Sequence, residues 1–173
     1  MSTMTVPAAA LIATADVVHL EAGDALAVEL AASFLAEESA RGGAAAAKYL
    51  EADPRAYETW LGGAWIGLRQ VDGSPAAGGA YRRYDSTTAE LAQLWTRPEL
   101  RRNGLARKVL GHLEFLAERS GYDRLYAVAE PGQQVLRGVL RAAGYTALGE
   151  ESLDYLGFVK ALPASDYLPD PLR

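Results

Sequence analysis

The chain contains no cysteine and only two histidines, His19 and His112, among its 173 residues. Without cysteine there is no disulfide, no thiolate metal site and no cysteine nucleophile. Two histidines are too few for a multi-histidine metal centre, so we expect no bound metal. A serine–histidine–aspartate triad would need one of the two. His112 falls inside a predicted helix, where a solvated or half-buried side chain is the ordinary role.

A net positive charge and long apolar runs without charged residues are also absent. The net charge is −5, which argues against a nucleic-acid-binding protein. The sequence contains no uncharged apolar stretch of about 18 residues, so we expect no transmembrane span and no membrane partner. The first dozen residues lack the basic start of a secretory signal, which leaves a cytoplasmic location as the expectation.

What the chain does contain is apolar surface for a core. Half of the residues are apolar, and a chain of this length can bury a sizeable core in one domain. No second domain and no repeat is visible. We therefore expect a single domain over residues 1–173, with its core at about 13–162, a loose N terminus and an irregular C-terminal tail.

The apolar patterns predict helices first, then strands, then an alternation of the two. After a first strand within 13–21, the helical patterns of the first third are 24–41, 44–50 and a piece that begins at Asp53–Pro54. Alternating or apolar strand patterns separated by turn signals cover 64–71, 75–84 and 88–96. The remaining segments are predicted as helix 104–119, strand 124–130, helix 133–143 and a hairpin over 146–162.

This order of elements predicts an α/β fold. The strand–helix–strand passage over 90–130 requires parallel pairing and a right-handed crossover. The three strands before it are joined by short turns, which favours an antiparallel meander. The result is a central mixed β-sheet with helices on both faces. Gly78 and Gly79 lie inside a strand, where glycine indicates a bulge or a close backbone approach.

The most informative segment is the turn between strand 88–96 and helix 104–119, which reads Arg101-Arg-Asn-Gly104-Leu-Ala106. A turn at a helix start points several backbone N–H groups at one spot, and the helix dipole favours an anion there, typically a phosphate. Gly104 lets the backbone approach a ligand with no Cβ in the way. The surrounding cations are Arg97, Arg101, Arg102, Arg107 and Lys108. They suit a bound anion, although an ordinary charged surface is the alternative.

The spacing Arg101-x-x-Gly104-x-Ala106, with a strand before it, a helix after it and Pro98 three residues upstream, resembles the acyl-CoA pyrophosphate loop of the GNAT superfamily of N-acetyltransferases. The order of elements resembles that family over about residues 60–160. The resemblance implies a GNAT-like acyl-CoA N-acyltransferase fold and an enzyme that uses acetyl-CoA as acyl donor. By position it implies cofactor contacts at Leu94, Trp95, Thr96, Arg101, Arg102, Asn103, Gly104, Leu105, Ala106, Arg107 and Gln133.

The resemblance also implies catalytic roles on the strand before the loop. In the family a bulge splays two parallel strands, by position at Leu94–Thr96, and a backbone N–H there polarises the thioester carbonyl; we assign it to Leu94. Some members place a catalytic glutamate where Glu90 stands, although a surface residue is the alternative. A period of two would put Glu90, Ala92, Leu94 and Thr96 on one face. Trp95 is expected to pack, with lining of the acceptor channel as the second interpretation.

One position departs from the family pattern. Many members carry a tyrosine four residues before the glycine that ends the last helix, as general acid for the CoA thiolate, and here that residue is Leu140. Tyr126 or Tyr145 could take the place of that tyrosine. Alternatively, the CoA thiolate leaves unassisted, because the pKa of a free thiol is only about 8.5. Two functions follow from the resemblance: an N-acetyltransferase for a primary amine of a small molecule or peptide, or a catalytically silent acyl-CoA-binding or sensing module. Many relatives of this fold dimerise, so a homodimer stays open.

Overall fold

The computed structural model describes residues 15–42, 44, 47, 53–150 and 152–164. Its α-helices are α1 (Ala25–Arg41), α2 (Leu105–Arg119) and α3 (Gln134–Ala142). Its strands are β1 (Asp16–His19), β2 (Ala64–Arg69), β3 (Pro75–Arg83), β4 (Thr88–Thr96), β5 (Arg124–Ala129), β6 (Thr146–Ala147) and β7 (Leu156–Ala161). Short 3₁₀ turns lie at Pro54–Tyr57, Thr59–Leu61 and Pro98–Leu100. The predicted elements are confirmed to within a few residues, except that helix 44–50 lies almost wholly outside the described residues.

All seven strands form one sheet in the order β1-β2-β3-β4-β5-β7-β6. Every neighbouring pair is antiparallel except β4 and β5, which run parallel. The connection between these two strands passes through α2, as the predicted crossover requires. The predicted mixed sheet and the antiparallel meander of β2, β3 and β4 are therefore confirmed.

Helices α1 and α2 cover opposite faces of this sheet, and two adjacent glycines of β3 show how closely they approach. A Cβ on Gly78 would lie 2.7 Å from Leu30 of α1, and a Cβ on Gly79 would lie 2.9 Å from Val109 of α2. Both helices thus pack against bare backbone, which confirms the close approach predicted for these glycines. We call these two sides of the sheet the α1 face and the α2 face. None of the described helices is long and apolar enough to cross a membrane.

The larger part of the core lies on the α2 face. Leu105, Val109 and Leu113 recur at helical spacing along α2, and all three are buried against the sheet. Burial of such a side chain contributes about 1.5–3 kcal/mol. A smaller cluster, which includes Leu30 and Tyr57, fills the α1 face. Packing on both faces holds β4 and β5 in place up to the point where they separate.

A bulge in β4 coincides with that separation. Leu91 lies opposite Tyr81 and Gln93 lies opposite Ala80, so that Ala92 is an extra residue with no partner on β3. The parallel pairing of β4 with β5 comprises only three rungs and ends at Glu90. Because a bulge bends its strand, β4 turns away from β5 beyond this point. The bulge therefore lies at Ala92, earlier than the segment 94–96 to which the resemblance assigned it.

Candidate active site

A cavity of about 640 Å³ opens between the separated ends of β4 and β5. Residues 91–96 of β4 and residues 127–128 of β5 form its edges. It reaches the start of α2 on one face and Phe34 of α1 on the other, so it joins the two faces of the sheet. This volume lies within the range of about 300–1,000 Å³ that is typical of pockets for small molecules and cofactors.

The predicted loop lies at the α2 side of this cavity in an unusual backbone conformation. Arg102 and Gly104 both have positive φ angles, 63° and 76°. The first hydrogen bond within α2 runs from Lys108 N to Gly104 O at 3.0 Å. The N–H groups of residues 105–107 precede it and have no acceptor inside the helix. Left-handed backbone at a non-glycine residue is costly and is typical of functional loops, and the unpaired N–H groups suit an anion.

Asn103 supports this loop from within. Its side-chain amide donates to Leu100 O at 3.1 Å and to Arg101 O at 3.0 Å. Its side chain therefore fixes the loop backbone, and the residue does not line the cavity. Asn103, predicted to contact the cofactor, thus stabilises the conformation of the loop from the side that does not face the cavity.

The structure divides the basic cluster into two groups. Arg101, Arg102 and Arg107 line the cavity. Arg97 instead donates from Nε to Pro75 O at 2.9 Å, and Lys108 donates from Nζ to Ala15 O at 3.3 Å. The side chains of Arg97 and Lys108 hold chain segments together, so the anion-facing interpretation does not apply to these two residues.

Glu37 of α1, which was not predicted as a site residue, accepts hydrogen bonds from three side chains. Its Oε2 accepts from Arg101 Nη2 at 2.5 Å and from Trp95 Nε1 at 3.1 Å. Its Oε1 accepts from Arg41 at 3.1 Å. Glu37 thereby ties α1 to β4 and to the loop, and it neutralises Arg101. Its only sequence signal is the i,i+4 spacing to Arg41, which is typical of an ordinary solvated helix face.

The bulge also changes which residues of β4 share a face. Glu90 lies opposite Arg82 and Gln93 lies opposite Ala80, on the α1 face. Leu94 lies opposite Gly79 and packs with the α2-face cluster. The prediction that Glu90 shares a face with Leu94 and Thr96 is therefore wrong. One inserted residue reverses the alternation of every side chain that follows it.

Glu90 is only 6% exposed, which excludes the interpretation of it as a surface residue. Its Oε2 accepts from Arg82 Nε at 2.9 Å and from Nη2 at 2.8 Å. It pairs with Tyr126 in the last rung between β4 and β5, and it lines the cavity. Glu90 thus places a carboxylate at the point where the strands begin to separate.

A second buried carboxylate, that of Glu38, lines the cavity from α1. It accepts from Gln133 Nε2 at 3.1 Å and from Arg41 Nη1 at 2.7 Å. Burial raises the pKa of Glu38; Arg41 and Gln133 oppose this shift, while Glu37 and Glu130 add to it. Gln133, predicted to contact the cofactor arm, also accepts from Glu130 N at 2.9 Å. Its amide therefore links α1 to the turn after β5.

The tyrosines considered as substitutes at the Leu140 position, Tyr126 and Tyr145, do not line the cavity. Leu140 itself is fully buried in the core. Tyr126 packs against Tyr84 with the two rings tilted and their centroids 5.5 Å apart, and burial raises the pKa of Tyr145. Within the described part of the chain, the tyrosine that does line the cavity is Tyr57, from the 3₁₀ turn before β2. In the same part of the chain, no three histidine, aspartate or glutamate side chains gather as metal ligands.

Comparison with known proteins agrees with this geometry. The model of the acetyltransferase (GNAT) family matches residues 29–145. The chain belongs to this family. The resemblance noted from the loop is therefore confirmed at the level of the family, and the enzymes of this family transfer acetyl groups. No curated protein matches the sequence significantly.

Solved structures share the fold at low sequence identity. An acetyltransferase from Streptococcus agalactiae 2603 superposes with a TM-score of 0.67 at 15% identity, over 85% of this chain and 98% of its own. A GNAT-family acetyltransferase from Staphylococcus aureus Mu50 gives 0.66 at 12%, over 85% and 99%. A phosphinothricin acetyltransferase from Sinorhizobium meliloti, solved with acetyl-CoA, gives 0.65 at 16%, over 91% and 94%. At these identities the likeness concerns the fold.

The raised pKa of Glu38 predicts a pH-dependent effect of Glu38→Gln on stability. Because the folded-state pKa lies above the unfolded value, ionisation of Glu38 costs stability as the pH rises from the unfolded pKa through the folded one. The variant has no such cost. The melting temperature of Glu38→Gln minus that of the wild type should therefore be more positive at pH 7 than at pH 4. Thermal denaturation at both pH values measures this, with Glu99→Gln at an exposed position as the control. A difference that is equal or smaller at pH 7 would contradict it.

Proposed function

We propose that the protein is an N-acetyltransferase that moves an acetyl group from acetyl-CoA to a primary amine of a small molecule or peptide. The observation that carries this proposal is the cavity through the parted strands. It connects an anion-binding loop on the α2 face with a carboxylate-lined chamber on the α1 face. A donor and an acceptor could therefore enter from opposite sides and meet at β4.

The residues on the α2 face fit coenzyme A. The N–H groups of residues 105–107 suit its pyrophosphate, and Arg102 and Arg107 add positive charge beside them. The edges of β4 and β5 that face each other have no strand partner beyond Glu90. Such edges suit the amides of the pantetheine arm, in the manner of an added strand. The hydroxyl of Thr96 is buried without a partner among the described residues, as a group reserved for a ligand would be.

Bound acetyl-CoA would supply an acetyl group activated as a thioester. Catalysis then requires a donor to the thioester carbonyl oxygen and an acceptor for the amine proton. We assign the first role to the backbone N–H of Leu94, next to the bulge. We assign the second to Glu90, which lies on the α1 face of β4 and is held by Arg82. Trp95, whose indole is fixed by Glu37, forms part of the wall between the two sites.

A tyrosine for the departing thiolate has no counterpart at Leu140, so the thiolate would leave without that assistance. The same substitution favours a second candidate function, an acyl-CoA-binding or sensing module without catalysis. Both functions require the loop, the parted strands and the cavity. They differ only in whether an amine promotes release of the free thiol.

A free-thiol assay with acetyl-CoA and a panel of primary amines distinguishes the two functions. The proposed enzyme releases CoA thiol at a rate that depends on both acetyl-CoA and amine, and one N-acetyl product forms for each thiol released. Binding of acetyl-CoA in isothermal titration, with no amine-dependent thiol release from any member of the panel, would contradict the transferase and support the binding module.

Gly104→Ala should weaken acetyl-CoA binding by on the order of 10-fold or more. A Cβ at this position meets no protein atom within 4 Å, so a loss of affinity would not arise from a clash within the protein. Gly104 lines the cavity, where an added Cβ would compete for space with the proposed pyrophosphate. The matched control is Gly121→Ala, just beyond the other end of α2, with a similar φ of 85° and equally open surroundings. Both changes impose similar backbone strain, and only the first lies at the cavity. Equal acetyl-CoA affinities of the two variants in isothermal titration would remove the phosphate-loop assignment.

Glu90→Gln should lower turnover at neutral pH by about 10²–10⁴-fold, the usual contribution of a general base. The deficit should shrink at high pH, where more of the amine is already neutral, and acetyl-CoA affinity should be unchanged. Arg82→Met is the control, because it breaks the same ion pair and keeps the carboxylate. Steady-state pH profiles of the three proteins decide the matter. If both variants lose activity with the same pH profile, the ion pair is what matters and Glu90 is not the base.

A further inference from the structure

The side chain of Gln93 is 4% exposed and lines the cavity, yet its Nε2 has no hydrogen-bond partner among the residues that the structure describes. A buried amide without a partner is costly, and such groups are rare in native proteins. Ala80, which lies opposite Gln93, and Trp95, the next residue of β4 on the same face, both pack in the apolar cluster of the α1 face, so an apolar residue would be tolerated at this position. The amide therefore calls for a partner that the described chain does not supply.

The bulge at Ala92 aims this amide at one side of the cavity. Without the extra residue, Gln93 would point to the opposite face from Glu90. With it, Gln93 lies opposite Ala80 on the α1 face, together with Glu90 and away from Leu94. Gln93 is thus directed to the side proposed to take the acceptor, and it is adjacent in sequence to the N–H assigned to the thioester carbonyl.

We propose that Gln93 is a specificity-determining residue that hydrogen-bonds a neutral carbonyl oxygen close to the reacting amine of the acceptor. The acceptor would then be an amino-acid amide or the N terminus of a peptide. This inference rests on the proposed acetyltransferase function. The Nε2 group, which has no partner among the described residues, carries the N–H donors from which such an oxygen would accept.

The charges around Gln93 favour a neutral oxygen over a carboxylate. Three of the guanidinium groups that line the same cavity are each ion-paired with a cavity glutamate: Arg41 with Glu37 and Glu38, Arg82 with Glu90, and Arg101 with Glu37. Glu130 adds a further carboxylate to the lining. A substrate carboxylate would find these three guanidinium groups already paired with glutamates, whereas an ammonium group would be favoured by the carboxylates of the lining. Phe34 and Tyr57 supply apolar wall on the same side.

The test compares three related amines as acceptors: phenylalaninamide, 2-phenylethylamine, which lacks the amide, and phenylalanine, which has a carboxylate in its place. The wild type should show the highest kcat/KM for phenylalaninamide. Gln93→Leu should lower that kcat/KM by about 10-fold, the effect of one lost hydrogen bond in a buried site. It should leave the value for 2-phenylethylamine within about twofold and the KM for acetyl-CoA unchanged.

A second measurement separates this role from a structural one. Because Gln93→Leu replaces an unpartnered buried amide by an apolar side chain of similar size, its melting temperature should rise, by about 2–4 °C for a chain of this length. If Gln93 instead stabilised the fold, Gln93→Leu would have a lower melting temperature than the wild type. The expected signature is therefore a more stable protein that discriminates less between the amide and the plain amine.

An equal loss of kcat/KM for phenylalaninamide and 2-phenylethylamine, or a lower melting temperature of Gln93→Leu, would overturn the inference. Absence of thiol release by the wild type with every amine contradicts the acetyltransferase function instead. The Gln93 inference is then decided by melting in saturating CoA. Phenylalaninamide should raise the melting temperature of the wild type more than that of Gln93→Leu, and equal shifts would refute the contact.

Discussion

The separation of β4 from β5 after three parallel rungs is the constraint on which the rest of the molecule depends. Inside a sheet covered by helices, backbone groups without partners are costly. This cost arises along residues 91–96, where the bulge at Ala92 bends β4 away from β5. Packing on both faces of the sheet stabilises the strands in this separated arrangement. The cavity, its passage between the two faces and the orientation of Gln93 all follow from that bend.

Charge is distributed so that the two ends of the cavity differ. On the α2 face, Arg102 and Arg107 stand beside unpaired helix N–H groups, which favours an anion. On the α1 face, Glu37 and Glu38 of α1 neutralise the guanidinium groups that reach the same space. Arg101 therefore belongs more to the scaffold than to the proposed phosphate site. The proposed polyanionic donor and cationic acceptor would in this way bind at opposite ends of one cavity.

The sequence was sufficient to predict the element order, the parallel crossover and the loop, because periodicity, turn residues and the Arg101–Ala106 spacing are local signals. It failed for the faces of β4. A bulge inserts one residue without a sequence mark, and so the alternation counted from Glu90 to Leu94 was wrong. The roles of Glu37, Glu38 and Tyr57 could not be predicted either, since they depend on how α1 and the 3₁₀ turn pack over the sheet. In the sequence, a polar residue that lines a cavity cannot be distinguished from one on an ordinary helix surface.

A crystal structure of the protein with bound acetyl-CoA tests the central claim most directly. The parted strands predict that the pantetheine arm lies between β4 and β5 beyond Glu90, with its amides paired to the strand edges. The pyrophosphate oxygens should lie within hydrogen-bond distance of the N–H groups of residues 105–107. A cofactor bound outside the gap between these strands, or with its phosphates away from the start of α2, would contradict the proposed site.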